Sequence, residues 1–133
     1  MLKPFIVLLA LGAAAASPAA DRRAAGPDAQ LQKAIAGRVA GKATDCINLP
    51  DVSSSQIVAG KAIVYRVFDT LYVNVPLSGA SALHRDDTLV THTFGSELCR
   101  LDTVNLADSI SRIPHGFVIL GAFVPYTRVP APR

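Results

Sequence analysis

Residues 56–75 read QIVAGKAIVYRVFDTLYVNV. The stretch is rich in Val, Ile, Tyr and Phe, alternates between its two sides, and is broken at Ala59–Gly60 and Asp69–Thr70, which is the pattern of short strands joined by tight turns. In its third segment Leu71, Val73 and Val75 share one face while Tyr72 and Asn74 share the other, because successive side chains of a strand point to opposite sides. It predicts a three-stranded meander. Pro76 ends the last strand, since proline has no N–H for a ladder.

Upstream the period changes. PDAQLQKAIAGRVAG, residues 27–41, offers Pro27 and Asp28 as a helix start, Leu31, Ile35 and Val39 four apart, and Gly41 as a stop. One short helix is expected there, with Gly37 weakening its middle. Downstream, PLSGASALHRDD (76–87) has no period, and its Gly, Ser, Pro and Asp content marks a loop. TLVTHTF (88–94) alternates again, Gly95–Ser96 is a turn, and LCRLDTVNL (98–106) resumes a strand with Cys99, Leu101 and Thr103 on the inner face and Arg100 and Asp102 outside. FVILGAFV (117–124) is apolar on both faces, as in a strand buried between layers. Six or seven strands, one short N-terminal helix and close turns predict an all-β fold, either a small sandwich or a barrel. No repeat of solenoid length is present.

The chain begins MLKPFIVLLALGAAAASPAA. A positive residue, an apolar run of about a dozen residues and a cluster of small residues are the parts of a secretory signal peptide, and the run is too short for a spanning helix of roughly 20 residues. The expected organisation is a signal peptide over 1–20, a linker over 21–27, a single disulfide-stapled β-rich domain over 28–126, and a flexible tail over 127–133. No membrane anchor is expected after cleavage. Two cysteines in an exported chain allow one intramolecular pairing, Cys46 with Cys99, closing a loop of 53 positions. There is no CxxC spacing to favour redox chemistry. The formal net charge is only +3, and Arg22–Arg23 is the sole adjacent basic pair, so nucleic acid is not an expected partner.

Chemistry concentrates in LHRDD. His84, Asp86 and Asp87, with His92 five residues beyond Asp87, offer imidazoles and carboxylates to a divalent metal or to a small hydrolase. The spacing matches no defined metal motif, and a solvated loop in which Asp86 or Asp87 caps a turn has the same letters. No G-x-S-x-G elbow and no phosphate-binding glycine loop accompanies them, so neither a catalytic residue nor a cofactor is assigned. Tyr65, Tyr72 and Phe68 read either as the lining of a small-ligand pocket or as sheet packing. Tyr72 and Asn74, on the face away from Leu71 and Val73, complete a candidate binding surface with Tyr65.

DCINL, SSSQIVAGKAIVYRV, LYVN and ELCRLDTV together resemble a family of small exported proteobacterial proteins known as a domain of unknown function. The resemblance spans residues 38 to about 125. It implies a β-rich periplasmic or secreted domain with no established activity, and it matches Cys46 and Cys99 to the family's cysteines. Some relatives carry two further cysteines near the positions of Ala80 and of Val118 or Ile119, where this chain has none. The expected role is a non-enzymatic binding or structural domain of the cell envelope whose partner is an envelope protein or a small ligand. The alternative is a ligand- or metal-binding module, or a hydrolase, built on His84, Asp86, Asp87 and His92.

Overall fold

The meander forms as its alternation requires. In the computed structural model, which describes residue 12 and residues 26–130, β3 (Val52–Val58), β4 (Ala62–Val67) and β5 (Thr70–Asn74) pair antiparallel in sequence. Apart from residue 12, the signal-peptide segment lies outside the described residues, as do most of the linker and residues 131–133. The β4–β5 turn is Phe68–Asp69, one residue earlier than expected, with Phe68 at φ 53°.

Two further strands extend this meander into the large sheet. β1 (Arg38–Ala40) and β10 (Phe123–Arg128) complete five strands in the order β1-β10-β5-β4-β3. Three strands, β6 (Asp87–Thr91), β8 (Thr103–Asp108) and β9 (Pro114–Ile119), form a second sheet in the order β6-β8-β9, and β2 (Cys46–Asn48) pairs with β7 (Glu97–Cys99) as a ribbon. Ten strands are thus found among the described residues, against the six or seven expected. They lie in three sheets that do not close into a barrel, so the fold is the all-β sandwich.

The large sheet is apolar on both faces because it lies between two layers. Ile57, Ile63, Tyr65 and Phe123 point into the main core with Leu83, with Val104, Leu106, Val118 and Leu120 of the smaller sheet's side, and with Ile47 and Leu98 of the ribbon. Val58, Ala62, Val64 and Val73 point the other way, against Ile35 and Leu31 of the helix region. The helix α1 (Pro27–Ala34) is shorter than the Leu31–Ile35–Val39 spacing implies. Gly37, at φ +75°, turns the chain instead of sitting in the helix, and Arg38–Ala40 pair with Arg128–Tyr126 on β10. A left-handed glycine just past a helix is a usual stop, and it leaves Val39 on a strand, exposed. That same pairing carries β10 through Arg128, two residues into the segment expected to be a loose tail.

Two stretches expected to be single strands are each broken. LCRLDTVNL splits into β7 and β8 at a turn in which Leu101 sits at φ 75° and the Asp102 carboxylate accepts the Cys99 N–H at 2.7 Å. The inward residue is therefore Leu98, fully buried, whereas Leu101 is exposed and Cys99 half-buried. FVILGAFV splits at Gly121 into the end of β9 and the start of β10, crossing from the smaller sheet to the large one with Val118, Leu120 and Phe123 all buried. A Cβ at Gly121 would stand 2.4 Å from the Val75 carbonyl oxygen, so only glycine fits the crossing. Asn74 pins it there. Its amide donates to the Gly121 carbonyl at 2.8 Å and accepts the Gly121 N–H at 2.9 Å, with the whole residue at zero exposure.

Replacing Asn74 by alanine strands two buried backbone groups, each worth about 1–3 kcal/mol when left unpaired. Asn74→Ala is expected to lower unfolding stability by about 2–4 kcal/mol in urea titration, with the denaturant slope unchanged. A second prediction concerns the β8–β9 turn. There the Asp108 carboxylate accepts the N–H groups of Ser111 and Ile110 and the Ser111 hydroxyl, which with the nearby His115 hold its pKa below the ordinary value. A depressed folded-state pKa contributes stability that is present above the unfolded carboxylate range and is lost as pH falls through the folded value. Wild type is expected to be more stable than Asp108→Asn at pH 6, and the gap to shrink steadily below about pH 4 in thermal or urea unfolding.

Candidate functional site

Of the four side chains nominated in and beside LHRDD, the fold brings two together and adds a fifth. His84 follows a short 3-10 turn (Ala80–Ala82), and Asp87 is the first residue of β6. The His84 N–H donates to Asp87 Oδ2 at 2.8 Å, and the Asp87 N–H donates to the His84 carbonyl at 3.1 Å. The Asp87 carboxylate therefore does cap its turn, as one of the two readings of this loop required. That contact occupies one oxygen and directs the other, Oδ1, away from the loop.

Oδ1 meets His115. The His115 Nε2 lies 2.7 Å from Asp87 Oδ1, and the His84 Nδ1 lies 3.8 Å from the same oxygen. The two imidazoles stack, with centroids 4.7 Å apart and planes 16° apart. Asp87 is the deepest member, its side chain only 3 % exposed, with His115 at 26 % and His84 at 69 %. The result is a buried carboxylate oxygen beneath two aligned imidazole rings, open to solvent on the His84 side.

Strand irregularity explains how His115 reaches this place. β6 and β9 flank β8, so their backbones stand about 10 Å apart, two strand spacings. Along β8 the register steps by one residue from Leu106 to Ala107, while on β9 it steps by two from Gly116 to Pro114. His115 is the extra residue of a β-bulge, and a bulge bends the strand and re-aims the side chain it leaves unpaired. The loop bearing His84 is held down on the same strand. Gly79, at φ +83°, has its Cβ position 2.3 Å from the Phe117 carbonyl oxygen, and that of Gly116 is 3.3 Å from the Ala82 side chain. Glycine at both points lets the 3-10 turn lie directly on β9, which brings the rings into register.

The remaining nominated residues stand apart. His92 follows the far end of β6, five residues beyond Asp87 and so about 16 Å along an extended chain. It lines a different cleft with Thr93–Glu97, Cys99 and Asp102. Asp86 is exposed and lines a cleft with Arg85, Asp87 and the β3 residues Ser55–Ile57 without joining the His84–Asp87–His115 contacts. The alternation of TLVTHTF implied a strand through Phe94, but the strand stops at Thr91, before His92, and Phe94 is fully exposed. Tyr65 and Asn74 do not form a surface. Tyr65 is buried against Phe123, its ring centroids 5.9 Å away, and burial raises its phenol pKa well above the ordinary value, while Asn74 is committed to Gly121. Tyr72 is half-buried and packs against the main core. Of the two readings, sheet packing is the one the structure has for this set, and Phe68 is carried out on the turn, exposed.

His115 was missed because it lies 28 residues from Asp87 and outside any alternating run. The available signal was Pro114-His115-Gly116, a proline and a glycine flanking a histidine at the start of an apolar strand, where bulges and edge strands place such residues. A second convergence of donor types, Cys46, Glu97 and Cys99, has both sulfurs tied into a disulfide with an S–S distance of 2.05 Å. No protein-family model matches the chain, and no curated protein and no solved structure matches it either.

Proposed function

We propose that this chain is an exported binding domain of the cell envelope, periplasmic or secreted, that acts by holding a partner rather than by turning over a substrate. The observation that carries the reading is the Cys46–Cys99 disulfide, which closes a loop of 53 positions and welds β2 to β7 in the ribbon. Such a bond persists in oxidising compartments and is rare where thiols are kept reduced. The leader-like start of the sequence points to the same compartment.

Binding is supported by what the loops display. Phe68 between β4 and β5, Phe94 between β6 and β7, and Ile110 between β8 and β9 are all strongly exposed. Each sits on a connection fixed at both ends by paired strands, so little side-chain and backbone freedom remains to be lost on association. Aromatic groups such as Phe68 and Phe94 are enriched at the cores of protein interfaces. Among the described residues no helix is long and apolar enough to cross a membrane.

Export and oxidation are tested together. After fractionation of cells producing the full chain, alkylation without reduction followed by mass spectrometry is expected to find the protein outside the cytoplasm with no labelled cysteine. Two labelled thiols, or retention in the cytoplasm, overturn the proposal. Reduction is expected to remove about 4 kcal/mol of stability, from the loop-length dependence of a cross-link, and to lower Tm by more than about 15 °C. Turnover of any substrate that a single point change abolishes would overturn the non-catalytic part.

A further inference from the structure

We propose that His84 Nδ1, Asp87 Oδ1 and His115 Nε2 form a binding site for a late first-row divalent cation, Zn²⁺. One ligand atom from each of the three residues lies within 4.8 Å of the other two, with His84 Nδ1 at 3.8 Å and His115 Nε2 at 2.7 Å from Asp87 Oδ1. Two imidazole nitrogens and one carboxylate oxygen are a donor set suited to Zn²⁺, Ni²⁺ or Cu²⁺, and not to Ca²⁺ or Mg²⁺, which seek shells of oxygen. Three protein ligands leave a fourth position for water or for a group on a partner.

The two donor distances to Asp87 need little change. Zinc bonds of about 2.0–2.2 Å in a tetrahedral arrangement separate the ligand atoms by about 3.4 Å. The Asp87–His115 pair, now 2.7 Å apart, opens by less than an ångström, and the His84–Asp87 pair, now 3.8 Å, closes by less. His84 has the freedom to make that move because its side chain is mostly exposed. Asp87 does not need to move, since the His84 N–H already fixes Oδ2 and orients the carboxylate, the kind of supporting hydrogen bond that metal-ligating carboxylates receive. Two rings from different segments meet at one carboxylate oxygen, and because a metal lies in the plane of each imidazole it binds, coordination requires the exposed His84 ring to tilt out of the present stack.

The site goes beyond the exported-domain reading and does not depend on it, since the cation is bound by the folded chain in any compartment. The full chain, purified without a histidine tag and with its disulfide intact, is titrated with Zn²⁺ by calorimetry, and the zinc retained after dialysis is counted by elemental analysis. One equivalent is expected, with Mg²⁺ and Ca²⁺ giving no heat. His84→Ala and His115→Ala are each expected to weaken binding by more than the 10–100-fold that loss of a supporting residue typically causes, while His92→Ala and Asp86→Asn leave it unchanged. Melting in the presence of chelator checks that each variant is folded. If one variant fails to fold, the imidazole NMR signals of the wild-type chain decide, because Zn²⁺ should shift those of His84 and His115 and leave His92 in place. Absence of binding at 100 µM Zn²⁺, equal binding by the His84 and His115 variants, or a shift confined to His92 overturns the proposal.

Discussion

Everything on the site side of the molecule hangs from a crossing held by one amide. The chain leaves the smaller sheet at Ile119 and enters the large sheet at Phe123, and the fully buried side chain of Asn74 takes both hydrogen-bonding groups of Gly121 at that point. An apolar residue at position 74 would leave that backbone unpaired, and a side chain at position 121 would collide with the Val75 carbonyl. The crossing sets where β9 ends, where β10 begins, and how the two sheets face each other across Leu120 and Phe123.

The candidate site lies at the other end of β9, where the strand departs from regular pairing. A regular β9 would put His115 in the ladder with its ring normal to the sheet; the extra residue turns it across the end of β8 toward Asp87. The loop from Pro76 to Asp86 is pressed onto the same strand by the contacts at Gly79 and Gly116, and Ser78 bridges to Ile119. Thus a loop histidine and a strand-end aspartate meet a bulged histidine that is 28 or more residues from either in sequence. The disulfide lies elsewhere, in the β2–β7 ribbon, whose inner residues Ile47 and Leu98 are buried while the cysteines are half-buried on the other side.

Local pattern was informative wherever strands pair with their neighbours in sequence. The three-strand meander was visible over residues 56–75 in its alternation and its turn residues, although its first strand begins earlier, at Val52, and the pairing of Cys46 with Cys99 followed from there being two cysteines. It failed where a remote strand decided the outcome. Residues 38–40 continue a helical spacing, yet the edge of β10 takes them as a strand once Gly37 turns the chain. Cys99 to Thr103 alternates like a strand, yet Leu101 turns out to solvent because Asp102 caps the break. Tyr65 and Asn74 resemble an exposed polar face, but the second sheet covers that face.

His84 and Asp87 were legible as a pair, because four residues of a polar loop keep them near each other whatever the fold. Their third member was not, because a residue 28 positions away enters only through a bulge and a two-strand offset. The order of amino acids alone was enough for the β-rich class, the meander and the single cross-link, all of which depend on alternation, turn residues and cysteine count. The sandwich rather than the barrel, the burial of the Tyr65 and Asn74 face, and the meeting of His84, Asp87 and His115 were decided only in three dimensions. Each of these rests on contacts between segments far apart in the chain, whose partners no local period encodes.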